Sequence, residues 1–303
     1  GHKVEVLIPK YDCIHYGHLK NLKVDFLDLW SYEGPYKFHN TVWSCELEGL
    51  NILLLDPHHP SYFFNRGKIY SCEDDLRRFI YFSRAALEFV YKSGKRPDVI
   101  HLHDWPTSLV AVLYKEMYIP LQLHIPKIIV TIHNLAHQGK TTASLVTSSG
   151  LRAEELLTLE KLQDPIQPQL VNLLKGGIVY ADFITTVSPT YEKEIQTKKC
   201  GENLDPLLVK YRHKLKGILN GIDPLYWNPE KDCYLSHPYT VLNWEKGKKN
   251  NKNSLKQELG MPPSTMPLIC AITRLALQKS PEWIAFLLEK SVEEGAQFIL
   301  IGS

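Results

Sequence analysis

Short runs of apolar, often β-branched residues alternate along the chain with longer stretches of helical periodicity, the pattern of a parallel sheet covered by helices. Residues 4–8, 52–55, 99–102, 128–132, 183–187, 217–219, 268–272 and 298–301 each predict a buried strand, largely apolar on both faces. Over residues 74–92, Leu76, Phe79, Ile80, Ala86, Phe89 and Val90 recur at three- and four-residue spacing and predict a helix, with Gly94 placed to end it. Between Asp223 and Pro267 the rhythm breaks at Pro224, Pro229, Pro238, the lysine-rich stretch 246–252 and Pro262-Pro263. A boundary there divides the chain into residues 1–222 and 223–303. Only two predicted strands follow it, too few for a complete doubly wound domain.

Composition narrows the function classes. With 303 residues, 44% hydrophobic and 22% charged, the chain has the make-up of a folded two-domain protein. Its net charge is +2 and no long basic stripe is present, which argues against a nucleic-acid partner. The lysines of 246–252 stand among asparagines and read as a solvated face. No apolar run reaches the roughly 18–20 residues needed to cross a bilayer. The 6 cysteines are scattered without a C-x-x-C pair, which points to a reducing, cytoplasmic location. The chain does not begin with methionine, so the lack of a leader carries no information.

In parallel sheets, ligands bind beyond the carboxyl ends of the strands, so the polar residues there are the candidates. His103-Asp104-Trp105 ends one strand. Asp104 directly follows His103, so the two side chains diverge as metal ligands, and Asp104 reads as the N-cap of a helix with Pro106 in its first turn. The strand 127–132 runs into His133-Asn134-Leu135-Ala136-His137-Gln138-Gly139-Lys140-Thr141, a phosphate-loop pattern but for Asn134 in place of its first glycine. His133 is the better candidate there, as a hydrogen-bonding partner for a hydroxyl or phosphate; alternatively it is a satisfied core histidine. Ser188-Pro189-Thr190 resembles a helix start and Asn220-Gly221 a turn. After the strand 268–272, Arg274 and Lys279 form a cation pair suited to a diphosphate, or are simply surface charges.

Taken in order, these pieces resemble the bacterial-type glycogen and starch synthases, glycosyltransferase family 5. The resemblance is carried by His-Asp-Trp at 103–105, Thr-Ile-His-Asn-Leu-Ala-His-Gln-Gly at 131–139 and Lys-Gly-Gly-Ile-Val-Tyr-Ala-Asp at 175–182. It continues through Thr-Thr-Val-Ser-Pro-Thr-Tyr at 185–191, Gly-Ile-Leu-Asn-Gly-Ile-Asp at 217–223 and Thr-Arg-Leu-Ala-Leu-Gln-Lys at 273–279.

The resemblance implies an α/β fold of the GT-B type, two Rossmann-like domains facing a cleft, with the acceptor-side domain over 1–222 and an incomplete nucleotide-sugar domain over 223–303. It implies transfer of glucose from ADP-glucose to an α-1,4-glucan, glycogen or starch, with retention of configuration. No cofactor is expected, and no metal, because Arg274 and Lys279 stand where a divalent ion would otherwise neutralise the diphosphate. By the same resemblance His133 and Asn134 lie by the transferred glucose and Asp104 in the active-site cleft. Asn220 lies near the sugar diphosphate, which Arg274 and Lys279 bind. Two family motifs are absent, a Lys-Thr-Gly-Gly-Leu-like loop and a glutamate-bearing Phe-Glu-Pro-Cys-Gly-Leu-Thr-Gln, so this chain alone is expected not to turn over substrate. Ser280-Pro281 follows Lys279 where the family commonly has glycine. The alternatives are a related enzyme using UDP-glucose or another acceptor, a non-catalytic glucan-binding module, and an ATPase acting through Lys140.

Overall fold

The computed structural model describes residues 1–121 and 126–302. Ser303, the end of the predicted second domain, lies outside them. The chain folds as two compact units that divide between Asn220 and Gly221.

The first unit holds two four-stranded sheets. One has the order β1-β4-β3-β2 (β1 Glu5–Pro9, β2 Lys20–Glu33, β3 Tyr36–Leu47, β4 Leu50–Pro57), with β1 parallel to β4 and the β2–β3–β4 meander antiparallel. The other is wholly parallel, in the order β10-β9-β6-β5 (β5 Val99–His103, β6 Lys127–Ile132, β9 Phe183–Thr186, β10 Leu215–Gly217). A short antiparallel pair, β7 (Lys140–Thr142) and β8 (Leu170–Asn172), follows the β6 loop.

The β2–β3 ribbon departs from the all-parallel expectation. Its register shifts at three places, between Lys20 and Lys23, Val24 and Phe26, and Phe26 and Leu29, so the alternation that would mark a strand is broken in the sequence. The predicted strand 217–219 is displaced to β10, although the Ile218 amide still donates to the Thr186 carbonyl at 2.8 Å. β5 also differs from expectation. It lies at a sheet edge and alternates, with Val99, His101 and His103 exposed.

Helix α1 (Asp75–Lys92) forms where the periodicity predicts it, and Gly94 after it has φ +69°. Arg78, fully buried on α1, donates to the Phe63 carbonyl at 3.0 Å and the Ile69 carbonyl at 2.8 Å, and so ties the preceding loop to the helix. Helices α2 (Asp104–Leu113) and α4 (Leu173–Tyr180) pack closely at Gly177, where a Cβ would stand 2.6 Å from Ser108 Oγ. Ile128, Val130 and Ile132 of β6 are fully buried, each contributing about 1.5–3 kcal/mol, so the end of β6 is firmly placed.

The second unit contains α7 (Trp244–Glu258), β11 (Leu268–Ile272), α8 (Pro281–Glu293) and β12 (Gln297–Ile301), with β11 parallel to β12 in register Leu268↔Gln297. Lys246, Lys248 and Lys249 on α7 are exposed, as a solvated face requires. Among the described residues no helix is long and apolar enough to cross a membrane.

Candidate active site

The parallel strands β5, β6, β9 and β10 end on one side of their sheet; His103 is the last residue of β5, and His133, Ser188 and Asn220 lie just beyond the other three. Asp104 takes φ +54°, a left-handed conformation that aspartate tolerates better than most residues. That turn gives its carboxylate a different task from the predicted cap. Oδ1 accepts the backbone N–H of His133 at 2.7 Å and of Asn134 at 3.4 Å, so the side chain clamps the neighbouring strand's loop. Thr107 occupies the start of α2 instead: its Oγ1 accepts the His103 amide at 2.7 Å and donates to the His103 carbonyl at 2.9 Å.

His133 is exposed at the mouth of the sheet, not a satisfied core histidine, and its Nε2 stands 3.0 Å from His103 Nδ1. Asn134 Oδ1 accepts the Ala136 amide at 3.1 Å, turning the loop sharply. Two further groups that the sequence did not single out fix this loop. Tyr191 Oη accepts the Leu135 amide at 3.2 Å, and the buried Gln138 Nε2 donates to the Leu135 carbonyl at 3.1 Å and the Glu202 carbonyl at 3.0 Å. Tyr191 is delivered by a helix start that the sequence did announce: Ser188 Oγ caps Pro189–Glu194 by accepting the Thr190 and Tyr191 amides at 3.1 and 3.2 Å.

Trp105, buried beside Asp104, stands edge-on to Phe79 at 5.6 Å and donates Nε1–H to Tyr70 Oη at 2.8 Å. Gly139 closes over its ring with φ +63°, and a Cβ there would lie 2.4 Å from Trp105 Cε3. Gly139→Ala combines left-handed strain of about 1–2 kcal/mol with overpacking of about 1–3 kcal/mol. Thermal unfolding should show a midpoint several degrees lower, and an unchanged midpoint would exclude the contact.

Lys140 is not poised over a phosphate. Its Nζ pairs with the buried Asp164 Oδ2 at 3.0 Å. Burial alone would raise the Asp164 pKa, but hydrogen bonds from Asn172, the Gln167 amide and Lys140 hold it below the ordinary aspartate value. The helix that should cradle a phosphate is a five-residue turn, Ala143–Thr147, already capped by Thr142. The loop therefore lacks the P-loop architecture.

In the second unit Arg274 lies just beyond β11, and Lys279 ends a 3-10 turn (Leu277–Lys279) before α8. Both are exposed, and among the described residues neither is paired with a carboxylate. Ser280, in the place where the resemblance implies glycine, has φ +47° and makes no capping hydrogen bond with its side chain. Ser280→Gly would remove about 1–2 kcal/mol of strain against about 0.5–1 kcal/mol of added chain entropy. A small rise in the unfolding midpoint is expected; a fall would show that the serine is unstrained. Among the described residues no three His, Cys, Asp or Glu side chains are grouped as metal ligands.

Comparison with known proteins shows the family. Residues 1–210 match the family model described as the starch synthase catalytic domain. The chain is 47% identical over 312 residues to a glycogen synthase of Protochlamydia amoebophila, covering 100% of this chain and 62% of that protein. It is 41% identical over 304 residues to glycogen synthase 2 of Methylococcus capsulatus, again covering 100% of this chain and 62% of the relative. A solved structure of the catalytic domain of starch synthase IV from Arabidopsis thaliana, bound to ADP and acarbose, superposes with a TM-score of 0.94 at 41% identity, covering 100% of this chain and 62% of that one. The chain thus spans about three-fifths of the length of these relatives. With the residue 1–210 match and this α/β architecture of the GT-B type, the chain belongs to the starch synthase catalytic-domain family of glycosyltransferases.

Proposed function

We propose that the protein carrying this chain transfers glucose from ADP-glucose to the non-reducing end of an α-1,4-glucan, glycogen or starch, with retention of anomeric configuration. It acts in the cytoplasm, without a nucleic-acid or membrane partner and without a cofactor. In this reading residues 1–222 serve the acceptor and residues from 223 on serve the nucleotide sugar. The observation that carries it is the Asp104 clamp on the His133 loop at the carboxyl edge of a parallel sheet, in a chain of this family. A starch synthase IV structure holds ADP, the group that leaves ADP-glucose, and acarbose.

The chain's residues divide the chemistry. His133, exposed and fixed at its backbone, hydrogen-bonds the glucose and orients it, with Asn134 beside it. Arg274 and Lys279 stabilise the charge that grows on the departing diphosphate while the sugar becomes oxocarbenium-like, and Asn220 contacts the same group. A glycosidase would need two free carboxylates flanking the bond and an admitted water. Asp104 instead has one oxygen engaged by two amides.

Initial rates with ADP-glucose and UDP-glucose, each with and without glycogen, test the assignment. Glucan-dependent turnover is expected to be faster with ADP-glucose. Faster turnover with UDP-glucose would reassign the donor, and glucan binding without transfer from either would make the protein a binding module.

A further inference from the structure

β5 sets two histidines on one face, because residues two apart on a strand point the same way. In the β5–β6 register His103 pairs with Thr131, so His133, two residues further along, emerges on that face beside His103. The rings of His101 and His103 lie 4.5 Å apart at 30°, and those of His103 and His133 5.2 Å apart at 34°. His103 is therefore the middle ring of three. His101, on its far side, has its Nε2 2.6 Å from Thr131 Oγ1, which is in turn 2.6 Å from Thr185 Oγ1, so that flank is anchored across three strands. The His103 backbone is held at both its amide and its carbonyl by Thr107.

Resting on the proposed role of His133 in holding glucose, we infer that His103 is a positioning residue for that histidine: its Nδ1 grips His133 Nε2, fixing the plane of the ring and leaving His133 Nδ1 as the nitrogen that meets the substrate. Desolvation lowers the pKa of His103, and the nearby His101 and His133 lower it further against the pull of Asp104, so its imidazole is neutral near pH 7. A neutral ring can serve one hydrogen bond at Nδ1 as donor or acceptor, and the bond's direction decides the proton's place on His133. The backbone clamp from Asp104 fixes where His133 begins; the His103 contact fixes where its ring ends.

Two readouts separate this inference from the broader reading of the site. With histidine nitrogens labelled in the 303-residue chain, NMR should show a coupling across the hydrogen bond between His103 Nδ1 and His133 Nε2. Its absence in the folded wild type would overturn the inference whatever the enzyme's activity. In glucosyl transfer, His103→Leu should lower kcat/KM about 10- to 100-fold, on the scale of a misplaced reactive geometry. His103→Asn, whose amide reaches the place of Nδ1, should recover to within about 3-fold of the wild type. A fully active folded His103→Leu variant, or an asparagine variant no better than leucine, would contradict it. Should the coupling be present and wild-type transfer absent, the positioning contact stands and the proposed reaction falls.

Discussion

Arg274→Ala should lower kcat for glucosyl transfer about 10²-fold or more, the scale on which losing one preorganised donor to a developing anion is felt. The expectation rests on charge and placement. Arg274 lies two residues beyond the carboxyl end of β11, where ligands of parallel sheets bind, and no carboxylate among the described residues neutralises it. Its planar fork can hold two phosphate oxygens at once, whereas Lys279 offers a point charge, so Arg274→Lys should recover only part of the loss. Because the departing diphosphate gains charge as the bond breaks, the effect should fall on kcat more than on KM. A variant with unchanged kcat would remove Arg274 from the chemistry.

Asp104→Ala should reduce kcat/KM by about 10²-fold through geometry, since a displacement of about 1 Å at a reacting centre can cost that much. Two backbone amides, those of His133 and Asn134, would lose their acceptor at once, and alanine is ill suited to the left-handed φ of +54°. Asp104→Asn keeps an acceptor oxygen and a side chain that tolerates that conformation, so it should retain most of the activity. If the asparagine variant were as impaired as the alanine variant, the negative charge and not the clamp would be the essential feature. The pair of variants therefore reads the role directly.

Much of this arrangement was legible along the chain. β6 announces itself as a short apolar run, with three fully buried residues feeding His133, whereas β5 alternates and β10 is displaced from the predicted run. Ser188-Pro189 announces a helix start, and the fold confirms it at the level of individual hydrogen bonds. The β2–β3 ribbon was not legible, because its register shifts scatter apolar side chains off a period of two. Nor was the Asp104 clamp. An aspartate before proline in a first turn predicts a cap, and only the positive φ, which no side-chain pattern reports, sends the carboxylate to the next strand. His103 was visible as part of a motif, but its contact with His133 joins residues 30 apart and depends on strand register. The serine at 280 illustrates the converse case: a departure seen in the sequence became a left-handed residue in the fold.

The central claim is tested most directly by following labelled glucose. Incubating the protein that carries this chain with ADP-[14C]glucose and a maltooligosaccharide, and resolving the products by chain length, should show label in glycans longer by single glucose units, with ADP released in equal amount. Label recovered as free glucose, or no lengthened glycan from any sugar nucleotide, would contradict it.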